Sequence, residues 1–228
     1  MLSFLLMLQA SGLPSQDPAR SALPVDHLIY VTRNLDSAVA DLERRLGVRA
    51  TPGGRHPGRG THNALIALGS DTYLEILAPD PSQPGIALPP WFGPDGQGPA
   101  HLASWAAKGT NLDQLVATAT RRGVTMGPIG SGSRRRPDGV LLTWSTTATS
   151  AAAGDGLIPF FIDWGSSPHP AASSAAGVRL VSLRAEHPAP DPIRQLLDSL
   201  GLALPVTPGP RPALIATLDT PKGRVELR

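Results

Sequence analysis

Apolar positions recur along the chain in three blocks, and each block predicts the same order of elements. The first opens with the β-prone run Val25 to Val31 and passes through Asn34-Leu-Asp36 into a stretch where Val39, Leu42 and Leu46 share one helical face. Asn34 or Asp36 can cap this helix, and Gly47 can end it. Alternating runs at Asn63 to Leu68 and Thr72 to Leu77 follow, separated by the turn Gly69-Ser-Asp71. The second block has a strand at Leu102 to Ala107, a cap at Asn111-Leu-Asp113, a helix to Arg122-Gly123, and strands at Val140 to Ser145 and Leu157 to Asp163. The third has a strand at Val178 to Arg184, Asp191 as cap with Pro192 as first helical residue, and Ile193, Leu196, Leu197 and Leu200 as an apolar stripe ending at Gly201. Strands at Ala213 to Leu218 and Gly223 to Leu227 complete it.

The step from acidic residue to terminating glycine is nearly constant, 36 to 47, 113 to 123 and 191 to 201, which predicts an internal repeat. The fold class is therefore α+β, with units at residues 24–79, 101–164 and 178–228 that together make one domain. Residues 1–23 read as a flexible start, and the Pro- and Gly-rich stretches 80–100 and 165–177 as linkers. A helix covers one face of each small sheet, so the other face needs a partner. Paired units would curl around a concave cavity able to hold a ligand.

Composition narrows the function more than the fold. With 17% charged and 41% hydrophobic residues in 228, the chain has the balance of a folded domain. It has no cysteine, so disulfides, thiolate metal sites and cysteine nucleophiles are excluded, and any metal must use His, Asp or Glu. A net charge of +2 and an aromatic content of 4% argue against nucleic acid as a partner. Met1 to Leu8 is apolar but lacks a basic flank and is too short to span a membrane, which predicts a cytoplasmic protein with a frayed or mis-assigned start, a short signal being the alternative. No phosphate-binding glycine motif appears, so no nucleotide cofactor is expected. Edge strands would allow a homodimer.

Strand alternation singles out two groups. His27 shares a face with Ile29 and Val31, and Glu75 with Tyr73 and Leu77. A carboxylate among apolar neighbours needs a metal, a cation or a hydrogen-bond donor, so His27 and Glu75 are expected to meet each other or a shared ion. His56 and His62 lie in a glycine-rich stretch read as a loop, with His62 facing away from Asn63. Arg135, in the hairpin run Arg134-Arg-Arg136, is a candidate for a substrate carboxylate or phosphate, and Trp105 and Trp144 belong either to the core or, as substrate-binding candidates, to the cavity wall. Asp163 ends a strand, as a turn carboxylate or a ligand. His101, His169 and His187 read as linker or solvated loop residues.

Four segments, Val25-Asp26-His27-Leu28, Gly53 to Asn63, Tyr73-Leu74-Glu75-Ile76 and Pro159 to Gly165, resemble the vicinal oxygen chelate superfamily, closest to its glyoxalase-like domain branch. With the repeat, the resemblance spans residues 24–228. It implies tandem βαβββ modules and a divalent-metal enzyme of lyase, isomerase or dioxygenase type acting on a small oxygen-bearing metabolite. The same superfamily also holds resistance-type proteins that bind small molecules without metal, and this reading stays open. The resemblance implies His27 and Glu75 as ligands for zinc, iron, nickel or manganese. The second unit departs from it, with Ser104 opposite His27 and Asp163 near the Glu75 position; the third offers Ser182 or Val181, and Glu226. A second histidine must then come from elsewhere, and His56 is preferred over His62. His56, Thr61 and Asn63 match polar positions of the branch, with Glu75 or Asp163 as proton carrier.

Overall fold

The computed structural model describes residues 23–93, 98–148 and 154–228; the expectations for residues 1–22 lie outside these. The first unit consists of β1 (Val25–Val31), α1 (Leu35–Leu46), β2 (Thr51–His56), β3 (Thr61–Ala67) and β4 (Tyr73–Pro79). The second contains β5 (His101–Lys108), α2 (Leu112–Arg121), β6 (Ile129–Arg135), β7 (Leu141–Thr147) and β8 (Phe160–Asp163). The third holds β9 (Arg179–His187), α3 (Pro190–Ser199), β10 (Val206–Pro208), β11 (Ala213–Thr220) and β12 (Gly223–Leu227). Among the described residues the fold is mixed α+β with three α-helices, as the periodicity predicts.

The first two units merge into one eight-stranded sheet of order β2-β3-β4-β1-β5-β8-β7-β6, the same four-strand order reflected about the β1–β5 seam. In each half the first strand runs parallel to the last, β1 with β4 and β5 with β8. The third unit forms its own sheet, β10-β9-β11-β12, with its first strand in the interior rather than at the end. It therefore shares the element order of the other two without their strand order.

Helix caps explain why the helices start where they do. Asn34 caps α1, its side chain accepting from the Ser37 amide at 2.9 Å, and Gly47 closes it in the left-handed region at φ 76. Asn111 caps α2 in the same way through Gln114. In α3 the expected Asp191 cap gives way to Ala189, because Pro190 already supplies the first helical residue; Asp191 bonds Arg194 one turn on. The apolar stripes of α1 and α3 lie in one core with Leu28, Ile66, Leu74, Trp105, Leu214 and Leu227, so the third sheet packs against the convex side of the first.

Two edge strands differ from the sequence expectation. The stretch holding His56 and His62 is not a loop: Arg55 pairs with His62 and His56 with Thr61, leaving only residues 57–60 as the turn. Pro52, Gly53 and Gly54 are tolerated because β2 is the sheet's edge, where no ladder is lost. The opposite edge, β6, approaches it. Arg134 donates to the Gly53 carbonyl and Arg59 to the Ser131 carbonyl at 3.1 Å, so side chains close the sheet where the ladder stops.

Between Val25 and His27 the β1–β5 register slips by one residue, leaving Asp26 as the extra residue of a β-bulge. Val25 and Leu28 stay in the core while both Asp26 and His27 turn to the concave side.

Candidate functional site

The concave face encloses a cavity of about 440 Å³. The first unit lends its polar groups: His27 from β1, His56 from β2, Thr61 and Asn63 from β3, Tyr73 and Glu75 from β4. Ile29, Leu77, Trp91, Phe160 and Ile162 supply an apolar wall. Trp144 on β7 spans the cross-strand Gly132, whose missing side chain makes room for the indole.

Glu75 sits at the centre of this polar side, 8% exposed. Its Oε1 accepts from Asn63 Nδ2 at 2.6 Å and lies 3.8 Å from His56 Nε2, while Oε2 is 3.7 Å from His27 Nε2. Among the described residues no group donates a hydrogen bond to Oε2. His56 Nδ1 is held by Thr61 Oγ1 at 2.9 Å. Burial pulls the His56 pKa down to about 4; Glu75 opposes this, and Arg134 and Arg59 reinforce it, so this imidazole is neutral near pH 7.

Behind His27 stands a second layer. Its Nδ1 meets Asp26 Oδ1 at 2.7 Å, and Asp26 Oδ2 takes Trp164 Nε1 at 3.1 Å and His169 Nε2 at 3.2 Å. The Ala171 amide donates to His169 Nδ1, so the His169 proton is on Nε2 and points at Asp26. Burial pushes the Asp26 carboxyl up, but the hydrogen bonds from His169 and His27 outweigh it and hold it down to about 2. With Asp26 ionised and accepting, His27 donates through Nδ1 and presents Nε2 to Glu75 Oε2 at 3.7 Å. Tyr73 stacks on the His27 ring at 4.7 Å and fixes its plane.

Of the residues picked out from the sequence, the structure brings His27, His56, Asn63, Glu75 and Trp144 to one cavity. Others lie elsewhere. Trp105 is fully buried in the convex-side core and donates to the Leu157 carbonyl at 2.9 Å. His62 is not among the residues lining the cavity, because alternation sends it to the opposite face of β3. Arg135 is exposed and bonds the Gly139 carbonyl, while its neighbour Arg134 enters the cavity. Asp163 lines an outer polar groove and accepts from the Gly165 amide at 2.8 Å. Glu226 is exposed on the third sheet. His169 is not a solvated loop residue: the turn Pro170–Ser173, packed on β3, delivers it to Asp26. Asp26, Arg134, His169 and Trp164 are the members of the site that sequence reasoning misses.

Two imidazoles and a carboxylate are sound donors for a divalent ion, and both imidazoles are anchored from behind. As they stand they are not a coordination set. Among the described residues no group of three or more His, Asp or Glu side chains is arranged to hold a metal ion. The Asn63 amide shows why: its Nδ2, a donor without a lone pair, lies 2.6 Å from Glu75 Oε1 and 3.3 Å from His56 Nε2, turning N–H groups toward the lone pairs a cation would need. The other end of that amide, Asn63 Oδ1, is buried without a partner, close against Gly53.

The family described as "Glyoxalase-like domain" matches residues 25–201. No curated protein matches the chain. A solved structure of a hypothetical protein from Staphylococcus aureus is similar at TM-score 0.61 and 14% identity, covering 90% of this chain and 85% of that one. Methylmalonyl-CoA epimerase from Streptomyces coelicolor, in complex with 2-nitronate-propionyl-CoA, aligns at TM-score 0.46 and 21% identity over 66% of this chain and 100% of that one. The epimerase from Mycobacterium tuberculosis aligns at TM-score 0.43 and 20% identity over 69% and 98%. Among the described residues no helix is long and apolar enough to cross a membrane.

Proposed function

The chain belongs to the glyoxalase-like domain family, and from that premise we propose that its cavity is the active site of a small-molecule enzyme of isomerase or lyase type, with Glu75 as the proton-transferring base. The observation that carries this reading is the Glu75 carboxylate itself. It is nearly buried, is held on one oxygen by Asn63, and turns the other, free of hydrogen bonds, into an apolar-walled cavity. A carboxylate so placed abstracts a proton from carbon without competing water. His27 supports it. A proton arriving at Nε2 makes an imidazolium that the ionised Asp26 stabilises across the 2.7 Å contact, so His27, 3.7 Å from Glu75, can pass the proton on to the product oxygen. His56 stays neutral and acts as a hydrogen-bonding wall rather than a second acid.

A second reading, a divalent-metal enzyme with His27, His56 and Glu75 as ligands, is favoured by the partnerless Asn63 Oδ1. Turning this carboxamide end for end would face an oxygen toward Glu75 and His56, an arrangement that a cation between them would satisfy.

Two measurements test these readings. In D2O, wild-type protein should exchange the α-protons of at least one member of a panel of small 2-oxo and 2-hydroxy compounds, followed by proton NMR, and Glu75→Gln should slow this by about 100-fold or more. Exchange at the same rate in Glu75→Gln, or none by the wild type across the panel, overturns the base assignment. Plasma mass spectrometry after incubation with zinc, iron, nickel or manganese and desalting decides the second reading: about one equivalent, lost in His27→Ala, establishes it, and no retained metal removes it.

A further inference from the structure

Among the described residues Arg134 is the one buried guanidinium lining the cavity, and its surroundings do not account for it. It is 3% exposed. Among the described residues no carboxylate comes within 4.0 Å of it, and its only acceptor is the Gly53 carbonyl, bonded through Nη1. Buried cations are ordinarily paired, and a guanidinium carries five N–H donors in a planar fork. Nε and Nη2 have no acceptor among the described residues, on a residue that lines the cavity. Burial lowers the Arg134 pKa and the Glu75 charge raises it again, and both Arg134 and the exposed Arg59 at the rim act on His56. Counting guanidiniums and carboxylates among the described residues alone, the cavity has two cations, Arg59 and Arg134, against one anion, Glu75, a surplus of a single positive charge.

We propose that Arg134 anchors a carboxylate of the substrate, so that the enzyme acts on small organic acids whose apolar part rests on Ile29, Leu77, Trp91 and Phe160. The planar fork matches a carboxylate edge-on, and a monoanion balances the surplus charge. A phosphate monoester would bring a second negative charge toward Glu75. The inference rests on the active-site reading above and names the substrate class for it.

Calorimetric titration with matched probes tests it: phenylacetate against phenylacetamide, with acetate, pyruvate and phenyl phosphate beside them. Wild-type protein should bind phenylacetate about tenfold or more tighter than the neutral amide. Arg134→Gln should remove that preference, and Arg134→Lys should keep part of it. Because Arg134→Gln also removes the bond to Gly53, a readout on the wild type accompanies it: in NMR titrations phenylacetate, not the amide, should raise the pKa of His56. Equal affinity for acid and amide, binding of none of the carboxylates, a preference that survives in folded Arg134→Gln, one lost only in Arg59→Gln, or tighter binding of phenyl phosphate each overturns the proposal. Glu75→Gln separates it from the base assignment, since this variant should bind phenylacetate at least as tightly as the wild type while losing exchange. Retained carboxylate preference with unimpaired exchange in Glu75→Gln would sink the base reading alone.

Discussion

The two halves of the eight-stranded sheet have the same strand order and opposite chemistry. In the first half, concave positions of β1, β3 and β4 carry His27, Asn63 and Glu75; in the second, β7 and β8 present Trp144, Phe160 and Ile162, and β6 contributes Arg134. The first half holds the titratable polar groups and part of the apolar wall, and the second holds the rest of that wall and, among the described residues, the one buried arginine. A repeated fold therefore does not imply a repeated site. The role of a position is set by what faces it across the curl of the sheet.

This contrast can be broken most severely from the second half, where structural residues should matter through stability. Trp105→Ala empties a fully buried position and should cost about 3–5 kcal/mol, read as a lower denaturation midpoint in urea. In the first half the large effects should depend on pH. His56 has a folded pKa of about 4 against 6.5 unfolded, so the unfolded chain binds its proton first as the pH falls. Stability from this group is full above pH 6.5 and is lost on the way down to about 4, a change on the order of 3 kcal/mol. His56→Gln should flatten the stability curve in that window.

Asp26, depressed from 3.8 to about 2, gives stability that is full above pH 3.8 and fades toward 2, about 2 kcal/mol in all. Asp26→Asn should remove that limb and weaken exchange through a mis-set His27 ring, whereas a purely structural role would leave the pH profile of exchange unmoved. Gly53→Ala sharpens the contrast within the first half. A Cβ there overlaps Asn63 Oδ1, so the carboxamide must leave Glu75; catalysis should fall more than stability, which should change by about 1–2 kcal/mol. The smallest effect belongs to Asp163→Asn, a β8 carboxylate outside the cavity: under about 0.5 kcal/mol in chemical denaturation and unchanged exchange.

How legible the site is in the sequence follows from how regular its strands are. His27 and Glu75 stand among alternating apolar residues, so their shared environment can be read directly, and the helix caps at Asn34 and Asn111 follow from their spacing. The two edge strands are the opposite case. Pro52-Gly-Gly54 and Gly130-Ser-Gly132 carry no apolar marker to set the phase, so nothing local distinguishes Arg134 from Arg135. Trp105 fails for a related reason: small residues on both sides, Ala103, Ala106 and Ala107, suit either face. His169 reaches Asp26 across 143 positions of chain, a contact that no local pattern encodes.

The bulge at Asp26 leaves the strand one residue from a different reading frame. In a regular strand Asp26 and His27 would face opposite sides, and no single substitution would bring a carboxylate and an imidazole from adjacent positions together. One extra residue in the pairing with β5 achieves it. Ironing out the bulge with every residue kept would not simply remove a hydrogen bond. It would restore strict alternation and force either Val25 into the cavity or the His27, Ile29 and Val31 set into the core. For anyone transplanting this site to another scaffold, the insertion is as much a part of the design as the side chains it turns inward.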